Sequence, residues 1–169
     1  LLLLLALLIM PGVAHAEWHR AESKHFIVYS EGKPDELKAY AAQLERFDKA
    51  IRVLRALPDP PVPPVLRVTV YIVADMKAME RLSGSNSIAG FYIGGRASGA
   101  VAFVPERHGV QMGYRGGSDF DPQMILFHEY THHFMYSMSP NATFPRWFTE
   151  GFAEFHSTAR IDPDGAVTF

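Results

Sequence analysis

The sequence predicts an α+β fold: a mixed β-sheet with an N-terminal helix and a pair of helices at the C-terminal end. Over residues 35–57, apolar residues recur every three to four positions, which is typical of a long amphipathic helix. Residues 65–73 are mostly apolar and rich in β-branched side chains, which is typical of a central strand. Two further helical segments follow residue 120, separated by helix-breaking residues.

Composition limits what the chain can do. It has 169 residues, of which 48% are hydrophobic and 20% charged, so one globular domain with its own core is expected. The formal net charge of −2 gives no reason to expect a nucleic acid as a partner. There is no cysteine, which excludes disulfide scaffolds, thiol catalysis and Cys-based zinc sites. Any metal must be held by His and carboxylate side chains.

The first sixteen residues resemble a secretory signal peptide. An apolar run up to residue 13 is too short for a membrane span and is followed by Ala14-His15-Ala16, a small-x-small cleavage pattern. We expect residues 1–16 to be removed, leaving a periplasmic or extracellular domain at 17–169 with no stable membrane span. The alternative is an uncleaved anchor. A turn at 162–165 leads into a new strand, so we expect the domain to continue beyond residue 169.

The first part of the domain is predicted to build the sheet. In order, the sequence predicts a strand at 23–30, the long helix, a Pro-rich connector at 58–64, the central strand, a short helix at 74–82, and strands at 88–93 and 99–104. A turn at Gly94-Gly95-Arg96 is predicted to join the last two strands. Residues 105–119 are predicted to form an irregular loop.

The next helix begins with favourable capping residues. Asp121 suits the N-cap, and Pro122 suits the first helical position, where its missing N–H costs nothing. This helix is predicted over residues 123–138 and contains His128-Glu129-Tyr130-Thr131-His132. Residues four apart share one face of a helix, so the two imidazoles can reach a single Zn²⁺. Glu129 points away from the two rings by about a quarter turn and can contact a water molecule beside the metal.

The second helix, from residue 146 onward, offers a third ligand. A short connection favours an antiparallel helical hairpin, which returns Glu150 to the level of His132 and leaves one metal position open. Glu154 lies one turn later and can accept the second ring N–H of a ligand histidine. Gly151 is expected to allow close approach of the two helices. We expect His133 to support the ligands or face solvent, and His156 to lie at the surface.

These two segments together resemble a known family. HEYTH at 128–132, followed by WFTEGFAEF at 147–155, is similar to the gluzincin zinc metallopeptidases, and most similar to small bacterial peptidase-MA-like domains. The residues that match the family pattern are His128, Glu129, His132, Trp147, Glu150, Gly151, Ala153 and Glu154. The resemblance implies a zincin-like fold and peptide hydrolysis with Zn²⁺. It also implies a sheet edge beside the cleft and a helical-repeat region C-terminal to the domain as a further partner.

The sequence therefore predicts an exported zinc peptidase acting on a peptide or protein substrate. We expect His128, His132 and Glu150 to bind Zn²⁺ and Glu129 to act as general base. The strand at 99–104 is our candidate for the edge strand, with substrate contacts from Ala100, Val101, Ala102 and Phe103. Two alternatives stay open: an inactive zinc-holding envelope domain that binds peptides or partner proteins, and a structural domain without metal.

Overall fold

The fold is known from a computed structural model, which describes residues 17–94, 99–106, 121–139 and 141–169. The predicted signal peptide at 1–16 lies outside the described residues. So do residues 95 and 96 of the predicted turn and nearly all of the predicted loop at 105–119. Among the described residues, no helix is both long enough and apolar enough to cross a membrane.

A mixed sheet of five strands forms the centre of the molecule. The strands are β1 (His19–Glu22), β2 (Phe26–Ser30), β3 (Val68–Val73), β4 (Phe91–Ile93) and β5 (Val101–Pro105), and their spatial order is β1-β2-β3-β5-β4. The three middle strands run parallel, and β1 and β4 pair antiparallel at the two edges. The predicted α+β class with a mixed sheet is confirmed.

The predicted position of the edge strand is wrong. Residues 101–105 form β5, which pairs with β3 on one side and β4 on the other, so Val101, Ala102 and Phe103 lie in an interior strand. Ala100 directly precedes this strand, and its carbonyl accepts a hydrogen bond from the Thr69 N–H. The edge on this side is β4, which pairs with β5 only among the described strands. The segments that form β4 and β5 both resemble short strands in sequence. The parallel pairing of β5 with β3 places β5 inside the sheet and leaves β4 at its edge.

One face of the sheet is covered by helices. Helix α1 (Pro34–Leu54) and helix α3 (Pro122–Met138) both contribute to the main core, and Phe47 stacks on Phe127 with ring centroids 3.8 Å apart. Fully or almost fully buried side chains of this core are Phe26, Val28, Leu44, Phe47, Ile51, Val70, Val104, Leu126, Phe127 and Tyr130. The apolar stripe predicted on the long helix is thus the stripe that faces the sheet.

Helix α2 (Met76–Ser83) connects two strands that lie on the same sheet, β3 and β4. Asp75 caps its N-terminus, accepting a hydrogen bond from the Ala78 backbone N–H at 2.7 Å. Gly84 ends it with φ of 72°, a left-handed conformation that glycine adopts without a Cβ clash. The short helix predicted here is confirmed, shifted by one or two residues.

The last elements are helix α4 (Arg146–Ser157) and a two-stranded hairpin of β6 (Arg160–Ile161) and β7 (Val167–Thr168). The Asp162 N–H donates to the Ala166 carbonyl across the predicted turn, which is confirmed together with the short strand that follows it. Strand β1 was missed because its sequence, HRAE, is mostly polar and only Ala21 is buried, as suits an edge.

The other face of the sheet carries a row of aromatic rings. Tyr29, Tyr71, Phe103 and Phe91 stack from β2 across to β4, with centroid distances of 5.1, 5.2 and 4.8 Å. Trp18 meets Tyr71 edge-on at 6.1 Å. Such cross-strand aromatic pairs stabilise neighbouring strands in register.

Candidate metal centre

Helices α3 and α4 form the hairpin that brings the predicted ligands together. Asp121 is the N-cap of α3 and accepts a hydrogen bond from the Gln123 backbone N–H at 2.9 Å. This cap sets the residue at which the helix begins. Later residues of α4 lie beside earlier residues of α3: Glu150 is near His132 and His128, and Glu154 is near His128. The two helices are therefore antiparallel, as the short connection predicts.

Three donor atoms converge between these helices. The Nε2 atoms of His128 and His132 are 3.2 Å apart, and Oε2 of Glu150 lies 3.5 Å from the first and 3.7 Å from the second. Ligands at 2.0–2.1 Å from a tetrahedral Zn²⁺ are separated from each other by roughly 3.3 to 3.4 Å. The three separations between the donor atoms are thus close to the edges of one face of a zinc tetrahedron.

The local charge balance also favours a cation at this point. Two ring nitrogens and a carboxylate oxygen are electron-rich atoms, and they repel one another unless a proton or a metal lies between them. Burial, and then the neighbouring His128 ring, lower the pKa of His132, so this ring favours its neutral form, in which one ring nitrogen carries no proton. In the described part of the chain, the one Lys or Arg paired with Glu150 is Arg146, at 4.0 Å and 91% exposed.

Glu129 and Glu154 flank the three donor atoms. Burial, reinforced by the charge of Glu150, raises the pKa of Glu129 to about 7. Oε2 of Glu154 lies 3.5 Å from Nδ1 of His128, on the opposite edge of the ring from Nε2. A carboxylate in that position favours the tautomer with its proton on Nδ1, which leaves Nε2 free to bind a metal.

The hairpin corrects two smaller expectations. A Cβ on Gly151 would have no atom within 4 Å, so this glycine faces open space and does not bring the helices together. His156 is fully buried, donating from Nδ1 to the Phe152 carbonyl at 2.7 Å, and is not a surface residue. Trp147, in the first turn of α4, is 76% exposed.

His133 has a partner that the sequence did not reveal. Its Nδ1 forms a hydrogen bond with the Tyr92 hydroxyl at 2.7 Å, which connects the edge strand β4 to α3. Burial lowers the pKa of His133 to about 4 and raises that of Tyr92 to about 12, so both are neutral at pH 7. The contact joins residues 41 positions apart, and nothing local in the sequence indicates it.

A second group of His and carboxylate side chains lies away from this site. Nδ1 of His25 is 2.7 Å from Glu45 and 3.6 Å from Asp48, so the three could in principle bind a metal. However, Asp48 already accepts two hydrogen bonds from Arg52, at 2.7 and 3.0 Å, and one from the Tyr130 hydroxyl at 2.5 Å. This group is a buried ion-pair network, and sequence reasoning missed it.

Comparison with protein families and with curated proteins identifies no relative of this chain. No protein-family model matches the chain, and a search of curated proteins finds no match. The candidate centre therefore has to be judged on its own residues.

Proposed function

We propose that the chain is an exported zinc-dependent peptidase. The observation that carries the proposal is the triangle formed by His128, His132 and Glu150, whose sides fit a tetrahedral zinc site with an open corner. Two imidazoles and one carboxylate are a donor set that suits Zn²⁺ in hydrolytic enzymes. An open position distinguishes catalytic zinc sites from structural ones.

The residues around the triangle support hydrolysis. His128, His132 and Glu150 would hold Zn²⁺, which as a Lewis acid would make a water molecule acidic enough to lose a proton near neutral pH. Glu129 is the residue that takes this proton and later delivers it to the leaving amine nitrogen. In the zinc-free protein, burial raises the pKa of the Glu129 carboxyl, because this side chain lies out of bulk water beside the three donor atoms. Glu154 holds the His128 ring in its metal-binding tautomer.

The first experiment measures zinc and cleavage together. We expect the purified protein to retain about one zinc per chain after dialysis and to cleave members of a peptide library followed by mass spectrometry. Glu129→Gln should keep the zinc and lose at least a hundredfold in cleavage rate, since general acid–base catalysis contributes about that much or more. Glu36→Gln, an exposed glutamate on α1, is the matched control and should change neither quantity.

The same measurements separate the alternatives. Zinc retained by both proteins, with no cleavage by either, would favour a zinc-holding domain that binds peptides or partner proteins. Zinc absent from the folded wild-type protein would contradict both the metal site and the peptidase, and would leave the structural domain.

A further inference from the structure

Helix α3 has a ligand side, which carries His128 and His132, and an opposite side, which packs on α1 and the sheet. With about 100° of rotation per residue, Tyr130 lies about 200° round the helix axis from His128, and His133 about 140°. Both therefore belong to the side opposite the ligands. Each makes a hydrogen bond to a different element of the fold.

The first of these hydrogen bonds joins α3 to α1. Tyr130 is almost fully buried, and its hydroxyl donates to Oδ1 of Asp48 at 2.5 Å. Asp48 is held in turn by Arg52, which donates to both carboxylate oxygens at 2.7 and 3.0 Å. The same guanidinium lies 5.1 Å from the ring centroid of Phe134, one turn after Tyr130. The Asp48–Arg52 pair thus contacts two successive turns of the ligand helix.

The second hydrogen bond joins α3 to the edge strand β4. The Tyr92 hydroxyl and Nδ1 of His133 are 2.7 Å apart, and the two rings meet edge-on with centroids 5.6 Å apart. His133 directly follows the ligand His132 in the sequence. Helix α3 is therefore held by directional contacts from two sides, from α1 and from β4.

Directional contacts matter here because a small rotation of α3 would spoil the metal centre. A ring nitrogen at the rim of a helix lies about 5 to 6 Å from the axis, so a rotation of about 10° moves it by roughly 1 Å. The separation of His128 and His132 would not change, since both are on α3, but their distances to Glu150 on α4 would. Binding groups have to be held within about 0.5 Å. Apolar burial is non-directional and limits such a rotation less sharply than hydrogen bonds do.

We propose that Asp48 and Tyr92 are positioning residues of the metal centre. Acting through Tyr130 and His133, they fix the rotation of α3 at which both imidazoles meet the Glu150 carboxylate. The proposal rests on the zinc peptidase proposed above and deepens it, because it assigns part of the zinc affinity to residues outside the ligand set.

Removal of each hydroxyl tests the proposal. Tyr130→Phe and Tyr92→Phe keep the rings and delete one hydrogen bond each. Competition with a chelator measures the zinc affinity of the folded proteins. Loss of a residue that contacts a ligand directly costs 10- to 100-fold in metal affinity, so we expect about fivefold weaker binding for each of these more remote changes. The double variant should bind zinc more weakly than either single variant. Effects of this size leave the zinc in place during dialysis.

A spectrum separates positioning from a general loss of stability. Co²⁺ replaces Zn²⁺ in the same proteins, and its visible absorption depends on coordination geometry. We expect the bands of both tyrosine variants to be shifted or weakened. Tyr136→Phe, on the same helix and exposed, should match the wild type in affinity and spectrum. So should Ala41→Gly, which destabilises α1 two turns before Asp48 without removing either hydrogen bond. Denaturant titration gives the loss of stability in each variant.

The proposal is overturned if both tyrosine variants bind zinc as tightly as the wild type, or if Ala41→Gly weakens zinc binding as much as they do for the same loss of stability. It is overturned for Asp48 or for Tyr92 alone if only the corresponding variant is unchanged. Weaker zinc and altered Co²⁺ spectra, without peptide cleavage by the wild type, would uphold the positioning residues and contradict the peptidase. Cleavage by a zinc-loaded wild type whose affinity does not depend on the two hydroxyls would do the reverse. A folded wild type that binds no zinc would contradict both.

Discussion

Two groups of histidine and carboxylate side chains lie in this molecule at similar spacing, and they differ in what balances their charge. Around His128, three electron-rich atoms meet at 3.2 to 3.7 Å. Around His25, the carboxylates of Glu45 and Asp48 are equally close, yet the guanidinium of Arg52 already pairs with Asp48. Among the described residues, the second group contains a buried cation of its own, whereas the one Lys or Arg paired with the first is the exposed Arg146, 4.0 Å from Glu150.

The comparison shows that ligand spacing alone does not define a metal site. At the second group, burial by itself lowers the pKa of His25, but the hydrogen bond to Glu45 and the charge of Asp48 outweigh it and raise the pKa. A raised pKa favours the protonated form of His25, whose charge together with that of Arg52 balances the carboxylates of Glu45 and Asp48. In a structural network the polar groups already have hydrogen-bond partners within the chain. The distances between possible ligand atoms do not by themselves distinguish such a network from a binding site.

The largest effect we expect is a loss of zinc when a residue of the first group, around His128, is substituted. Substitution in the second group, around His25, should cause no loss. His128→Ala and Glu150→Gln should each reduce retained zinc from about one per chain to near zero, because a ligand contributes more than the 10- to 100-fold in affinity typical of outer-shell partners. His25→Ala should retain zinc fully. Metal analysis after dialysis measures all three, and zinc loss in His25→Ala would show that the two groups are not distinct.

The next effect belongs to the second group. Asp48→Asn removes the buried carboxylate that pairs with the Arg52 guanidinium and leaves only the half-exposed Asp59, 3.7 Å away, so the free energy of unfolding should fall by about 3 kcal/mol. Denaturant titration measures this change. Glu150→Gln, at the half-exposed carboxylate of the candidate metal centre, should change the stability of the zinc-free protein by less than about 1 kcal/mol. Equal losses in both variants would contradict the contrast between the two groups.

A smaller effect is expected from the hydrogen bond between Tyr130, on the helix that carries the ligand histidines, and Asp48 in the second group. Tyr130 lies between the ligand histidines in sequence, but its hydroxyl donates to Asp48 on α1. Tyr130→Phe keeps the ring in the core and removes one hydrogen bond to a charged group, which should destabilise the protein by about 1.5 to 3 kcal/mol. Tyr136→Phe, on the same helix and 46% exposed, is the control and should change stability by less than about 0.5 kcal/mol.

The smallest effect is a dependence of stability on pH. The folded pKa of His25 is raised above its ordinary value of 6.5, so its contribution is fully present below pH 6.5 and is lost as pH rises through the folded pKa. The slope cannot exceed about 1.4 kcal/mol per pH unit, because one proton is involved. Denaturant titrations of the zinc-free protein should lose stability above pH 6.5 more steeply than those of His25→Gln. Parallel curves would exclude His25 as the source.

The candidate metal centre could be predicted from sequence because its geometry is local. His128 and His132 are one helical turn apart, and Glu150 follows after a short connection that allows only an antiparallel return. The helices and most strands were predictable for the same reason, since their periodicity is contained in single segments. The exposed position of Gly151 was not, because it depends on which way the second helix is rotated.

Contacts between distant segments could not be predicted. The order of strands depends on the pairing of β5 with β3, so the edge was assigned to residues 99–104 when it belongs to β4. His25 contacts Glu45, Asp48 and Asp59, which lie 20 to 34 positions away in the sequence. Contacts at such separations leave no periodic pattern in the sequence. One local signal was present: Asp48 and Arg52 lie on the otherwise apolar stripe of α1, and charged residues in a buried stripe require partners.

The chain has only two tryptophans, and they lie in different parts of the molecule. Trp18 meets Tyr71 on the outer face of the sheet, whereas Trp147 is exposed and precedes Glu150 by less than one helical turn. Fluorescence from a chain that keeps only Trp147 will respond to events at the metal centre. Emission from one that keeps only Trp18 will follow the melting of the strands. Each part of the protein thus has its own optical reporter, separable by a single Trp→Phe change.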